Sequence, residues 1–248
     1  MSSVISSDLV VYTAQNMPEN NTDTVGGAIN SGIRASFDDP SSAVPIVFYS
    51  SSASDTSQNL TLTGRTSAGT VVSETKSLNG TANVTSTYTY ERLLKVNLSS
   101  AGIGVITVSG NGVNKVTDIP VGESGFRRPF YDATSSVDIG KTYYEKIFVK
   151  NNNTIATLSN AYLVEVSNGL YADIAFALED SKKADQTTDN RESLPTGVSG
   201  GFTSGPSGII GGALLAQDYQ GVWLKLSLDA GETAQNSFYE VQVSGTTA

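Results

Sequence analysis

Hydrophobic and polar residues alternate in period two along much of this chain, most clearly over residues 220–243. Val222, Leu224, Leu226 and Leu228 fall on one face, and Trp223, Lys225 and Ser227 on the other. Further on, Tyr239, Val241 and Val243 oppose Glu240 and Gln242. A strand points successive side chains to opposite sides, so this pattern predicts two strands, each with one buried face. Between them, Asp229-Ala230-Gly231-Glu232 carries turn chemistry, because glycine takes positive φ at little cost. The stretch is therefore predicted to be a β-hairpin that closes the core of a sandwich-like unit.

The same grammar recurs upstream. Residues 46–49 predict a strand, and 59–65 another with Leu60 and Leu62 inward. A turn at 66–69 leads to a return strand over 70–75, and Asn79-Gly80 is a strong turn dipeptide. Residues 88–98 place Tyr88, Tyr90, Leu94, Val96 and Leu98 inward, and the lapse in alternation at Arg92-Leu93 predicts a bulge or corner. With a last strand at 103–108, residues 41–110 read as an immunoglobulin-like sandwich without the Cys-Trp-Cys core of antibody domains.

Residues 111–140 are punctuated by glycine and proline and predict a linker or crossover, with Phe126, Phe130 and Tyr131 anchoring it. A second sandwich is predicted over 141–248. It has strands at 143–150, 161–166 and 171–178, a turn at Asn151-Asn152-Asn153, a charged loop at 179–194 and a flexible Gly/Ser-rich loop at 195–206. Residues 1–40 read as an extended arm with one strand at 8–12 and a polar stretch at 16–27, held either by its own domain or, the favoured reading, by a neighbouring subunit. No long stretch repeats with helical period. The expected fold class is all-β: two β-sandwich units, immunoglobulin-like or jelly-roll-like, with an extended N-terminal arm.

Composition narrows the chemistry. The chain has no cysteine and no histidine. That removes Ser-His-Asp and Cys-His catalysis, zinc sites built on Cys or His, and disulfides. Carboxylate, lysine, tyrosine, serine and threonine chemistry remains. The net charge is -9, and Arg127-Arg128 and Lys182-Lys183 are the longest basic runs, which argues against direct nucleic-acid binding. Residues 1–11 lack the basic start and apolar run of a secretory leader, and the apolar run Ile209 to Ala216, within GIIGGALLA (208–216), is too short to cross a bilayer. The expectation is a protein with no cofactor, metal, membrane or nucleic-acid partner.

Four places invite a chemical reading. Glu179, Asp180, Asp185 and Asp189 supply oxygen ligands of the kind calcium takes. However, the spacing is not that of an EF-hand, and Lys182, Lys183 and Arg191 dilute the charge, so a solvated surface loop is expected. Asp38-Asp39-Pro40 would serve a glycosidase only with a second acid across a cleft, and a turn is expected instead. The GIIGGALLA run lacks the GK[ST] ending of a phosphate loop. Trp223, the only tryptophan, would stack on a sugar or bury in a core or subunit contact. Trp223, Lys225, Phe238, Phe126, Phe130 and Tyr131 are the candidate interface residues.

The stretches TLTGRTSAGTVVSETKSLNGT (61–81) and YERLLKVNLSSAGIGVITVSG (90–110) resemble recurrent text in virion structural proteins of tailed bacteriophages. KIFVKNNNTIATLSNAYL (146–163) and GVWLKLSLDAGETAQNSFYEVQVSG (221–245) are similar to the same group. The resemblance carries no catalytic residues. It implies a non-enzymatic structural subunit, a capsid decoration or head–neck/collar protein, assembled in the host cytoplasm. Its partners would be other virion proteins (capsid, portal/neck or tail subunits) and copies of itself. Two other classes stay in view: a carbohydrate- or receptor-binding tail module using exposed aromatics or the 195–206 loop, and a carboxylate glycosidase.

Overall fold

A computed structural model describes residues 3–35, 37–40, 42–112, 114–133, 138–168, 174–231 and 239–247. Among them the chain is all-β, with two short 3-10 turns and no α-helix. In chain order the strands are β1 (Leu9–Asn16), β2 (Val25–Arg34), β3 (Val44–Ser50), β4 (Asn59–Arg65), β5 (Val71–Ser77) and β6 (Val84–Tyr90). They continue with β7 (Arg92–Leu98), β8 (Ile106–Gly110), β9 (Asn114–Ile119), β10 (Gly125–Arg127), β11 (Lys141–Asn151) and β12 (Leu158–Ser167). The last are β13 (Ile174–Leu178), β14 (Thr187–Thr188), β15 (Ser207–Gly208), β16 (Ala213–Leu214), β17 (Tyr219–Leu228) and β18 (Glu240–Thr247). Two compact units result: Met1–Asn30 with Pro129–Ala248, and Ser31–Arg128.

In the second unit, β6-β3-β8-β9 form one antiparallel sheet, and β10-β7-β4-β5 are hydrogen-bonded in that order. One core draws on both sets: Ile46 and Phe48 from β3, Leu60 and Leu62 from β4, Val96 from β7, Val108 from β8. The alternation read in 59–65 is what the fold uses, with Leu60 and Leu62 buried between polar neighbours. At Arg92-Leu93 the register against β4 shifts between Thr63 and Gly64, so Leu94 is the extra residue and both Leu93 and Leu94 are buried. The same place is also a corner, because residues 84–90 and 92–98 belong to different sheets. Tyr90 is buried, with its ring on Gly64, where a Cβ would stand 2.5 Å from the ring. Tyr88, expected inward, is instead 43% exposed, because β6 buries only Ser86 and Tyr90 fully.

The stretch read as a linker contributes to this core. Asn111 and Gly112, with φ of 51° and 71°, make the turn that folds β9 back onto β8. Phe126 then enters the core against Phe37, ring centroids 4.3 Å apart. A hairpin turn and a linker share the same residue types, so composition by itself did not separate them.

In the first unit the strand order is β13-β17-β11-β1-β2, with β14 on β2. A smaller sheet groups β12 with β15, β16 and β18. Residues of the expected arm are built into the larger sheet: β1 pairs antiparallel with β11, Leu9 opposite Asn151 through Thr13 opposite Ile147. The turn at Asn151-Asn152-Asn153 is made as expected. Asn151 is fully buried and its amide donates to the carbonyls of Ala156, Leu214 and Leu215, while Asn153 Oδ1 caps the amides of Ile155 and Ala156.

The predicted C-terminal hairpin is not formed. β17 is paired on one side with β11, over ten residue pairs from Lys141–Leu228 to Lys150–Tyr219, and on the other with β13. Both hydrogen-bonding edges are taken, so β18 has no edge to join there. It pairs with β12 in the smaller sheet instead. The local signals were sound as strands, and Gly231 does take φ 72°, but which strand meets which is a non-local matter. Of the predicted turn, Glu232 lies outside the described residues, as do residues 171–173 of the predicted strand 171–178.

Candidate functional site

The densest chemistry of the first unit lies on β11, whose residues 143–149 are all buried. A strand covered on both faces must pair every charge it carries. Glu145 and Lys146 are neighbours and so point to opposite faces, and the segment after β13 supplies a partner to each. On one face, Lys146 Nζ stands 2.6 Å from Glu179 Oε1, both side chains fully enclosed. Nζ also donates to the carbonyls of Gly27 and Ala184 at 3.0 Å and Gln186 at 3.2 Å. It lies over the Phe148 ring at 4.6 Å. On the other face, Glu145 meets Arg191 at 2.9 Å and accepts the Phe130 amide at 3.0 Å. Arg191 also pairs with Asp132 at 2.9 Å, and its carbonyl accepts the Tyr144 amide.

The loop expected to be a solvated acidic surface is therefore a strap anchored by two buried charges. Glu179 and Arg191 are enclosed, and Thr187–Thr188 between them pair with β2 at Gly26 and Val25. The acids do not converge on a cation: Asp180 accepts the amide and hydroxyl of Ser199, and among the described residues no three carboxylates cluster as metal ligands. One signal was present in the sequence. Glu145-Lys146 interrupts the apolar and aromatic run from Tyr143 to Val149, and charges inside such a run demand buried partners.

Trp223 belongs to this cluster. It is fully buried, not on an outer face, and its indole N–H donates to Glu179 Oε1 at 3.2 Å. Gly26, at φ 95°, makes room for it, since a Cβ there would sit 2.8 Å from the ring. Burial lowers the affinity of the Lys146 amine for its proton and raises that of the Glu179 carboxyl, while the mutual contact opposes both shifts.

The remaining candidates fall elsewhere. Lys225 is half-buried on β17, two residues beyond Trp223. Phe130 is buried with φ 56° beside Glu145, and Tyr131 next to it is half-buried. Phe126 is buried in the second unit's core, and Phe238 lies outside the described residues. Trp223 and Phe130 lie toward opposite faces of β11, beside Lys146–Glu179 and Glu145 respectively; Phe126 belongs to the other unit. Asp39 bonds Arg128 at 2.7 Å and lies 3.8 Å from Arg92, so its nearest partners are cations and not a second acid. The loop at 195–206 is tied at Thr203, which exchanges backbone hydrogen bonds with Phe176. A shallow groove of about 300 Å³ lies beside it, lined by Asp180, Leu194, Pro195, Val198 and Phe202.

The second unit has a comparable buried carboxylate. Asp55 accepts from the Ser50 hydroxyl at 2.5 Å, the Gln58 amide at 3.0 Å, and the backbone amides of Ile103 at 2.8 Å and Gly104 at 2.9 Å. Burial opposes its ionisation, but these four donors outweigh burial and hold the carboxyl below its ordinary value. A depressed folded-state value means the stabilisation is present above the unfolded value of 3.8 and is lost as pH falls through the folded one. Asp55→Asn should cost about 1–3 kcal/mol at neutral pH, because buried donors lose their acceptor. Its urea midpoint should also fall less than the wild type's between neutral pH and pH about 3. Equal losses on acidification in both proteins would refute the assignment.

Compared with known proteins, the chain matches no family model, no curated protein and no solved structure.

Proposed function

We propose that this protein is a non-enzymatic structural subunit of a tailed-phage virion, a capsid decoration or head–neck/collar protein. The observation that carries this reading is where the virion-like stretches fall in the fold. Residues 61–81 span the β4–β5 pair and 90–110 run through β7 and β8, while 146–163 and 221–245 supply the bodies of β11, β12, β17 and β18. The resembling text thus supplies strands to both units, in keeping with a scaffold role. In the finer reading, the second unit is an immunoglobulin-like sandwich of β6-β3-β8-β9 against β10-β7-β4-β5, and the first unit is a second sandwich.

Surface character supports assembly. β12 presents Tyr162 and Val166 to solvent, and its partner β18 is paired on one side only among the described residues. An open strand edge beside exposed apolar side chains is a common place for subunits to add. The partners in this reading are capsid, portal, neck or tail proteins and further copies of the chain, joined in the host cytoplasm. The protein should band with density-purified particles of the phage that encodes it and be visible at a symmetry axis or capsid lattice position by cryo-EM. Recovery only as free protein, with none on particles, would overturn the reading.

A tail module that binds carbohydrate or a receptor is the second reading, and the groove beside Phe202 is what favours it. It no longer draws on Trp223, whose ring is enclosed. Binding of a host-surface glycan, lost in Phe202→Ala, would favour this module over the decoration protein.

A further inference from the structure

We propose that Lys146 and Glu179 condense into an intramolecular isopeptide bond, a covalent staple from β11 to the end of β13 across β17. This does not depend on the virion reading. The two reacting groups are already in contact, with Nζ and Oε1 2.6 Å apart and neither side chain exposed to water. The carboxylate is confined. Gly221 lies directly against it, and a Cβ at that position would stand 2.1 Å from Oε2, so only glycine admits the Glu179 head here. Oε2 accepts no hydrogen bond among the described residues, whereas Oε1 holds both Lys146 and the Trp223 indole. Aromatic walls from Phe148 and Trp223 complete the enclosure.

In water an amine and a carboxylic acid do not condense at neutral pH, because they exchange a proton and become unreactive ions. Burial works against those ions. It lowers the basicity of Lys146 and raises that of Glu179, so both shifts favour the neutral amine beside the neutral acid. Confinement then replaces a bimolecular encounter by a fixed one. The step balances without any redox partner. An Nζ proton passes to Oε1, the nitrogen lone pair forms the Nζ–Cδ bond, and a second Nζ proton follows to Oε1. The Cδ–Oε1 bond breaks and water leaves. The Trp223 N–H, already on Oε1, holds the carboxyl group in one orientation while that bond breaks. Oε2 remains as the amide oxygen. The one hydrogen left on Nζ has the Gly27, Ala184 and Gln186 carbonyls around it as acceptors. In a chain without cysteine this would be a covalent tie that no reductant can open.

The test is mass spectrometry of the purified full chain under denaturing conditions. The staple predicts an intact mass lower than the sequence mass by one water. A tryptic digest should contain a branched peptide joining the Lys146 and Glu179 segments, uncut after Lys146. Lys146→Arg keeps a cation at the position but cannot supply a neutral amine, so it should restore the full sequence mass. A wild-type protein of full sequence mass, with separate linear peptides cleaved after Lys146, overturns the proposal whatever the variant does. A water loss mapped to any other pair of residues overturns it equally.

Discussion

Lys146→Met is expected to lower the stability of the first unit by about 3–5 kcal/mol, the usual cost of stranding one partner of a buried ion pair. Measured as the shift of the urea midpoint, this should be among the largest effects of any single substitution in the chain. Methionine fits the space of the lysine stem, so the loss would not come from a cavity. It would come from Glu179, left enclosed with only the Trp223 indole, among the described residues, as a donor to its carboxylate. The carbonyls of Gly27, Ala184 and Gln186 would lose a donor as well. The prediction holds whether the pair is ionic or condensed, since methionine removes both. Adding Glu179→Leu should return part of the loss, because removing both charges removes the stranded one. A single variant within about 1 kcal/mol of wild type would mean that Lys146 is not the anchor described.

The second large effect is expected from Trp223→Ala, at about 3–5 kcal/mol, from the cavity left by a fully enclosed indole. Val25 and Tyr144 would lose their main partner in that cluster, and Glu179 a hydrogen bond. Circular dichroism during urea unfolding reads this without the lost fluorophore. Loss of cooperative folding is the expected outcome; a stable fold that has lost only self-association would return Trp223 to the interface role its neighbours on the sequence suggested. The two sites touch, so the double variant should fall short of the sum.

The individual strands were legible because their signal is local. Leu60 and Leu62 alternate with threonine, and the turn at Thr66-Ser67-Ala68-Gly69 closes on a glycine at φ 77°. The bulge near Leu93-Leu94 was visible as a lapse in that alternation. The strap was misread for an equally physical reason. Between Glu179 and Arg191 the residue types are those of a solvent loop, and eleven intervening residues separate these two buried charges. What encloses those two are Glu145 and Lys146, more than thirty positions earlier, and sequence spacing says nothing of that encounter. For Trp223 the sequence leaves an exposed face, a buried core and a subunit contact open, because alternation implies one wet side, and that implication fails for a strand covered on both.

Taken alone, the sequence determined that the chain is all-β, where most of its strands run, and that neither thiol nor imidazole chemistry is open to it. These follow from backbone periodicity and from residues that are present or absent. Only the tertiary structure decided that residues 9–13 pair with β11, that β17 and β18 part company, and that Glu145 and Lys146 bind opposite ends of one strap. Strand pairing and charge burial depend on which distant segments compete for the same edge or enclosure, and that competition is settled in space.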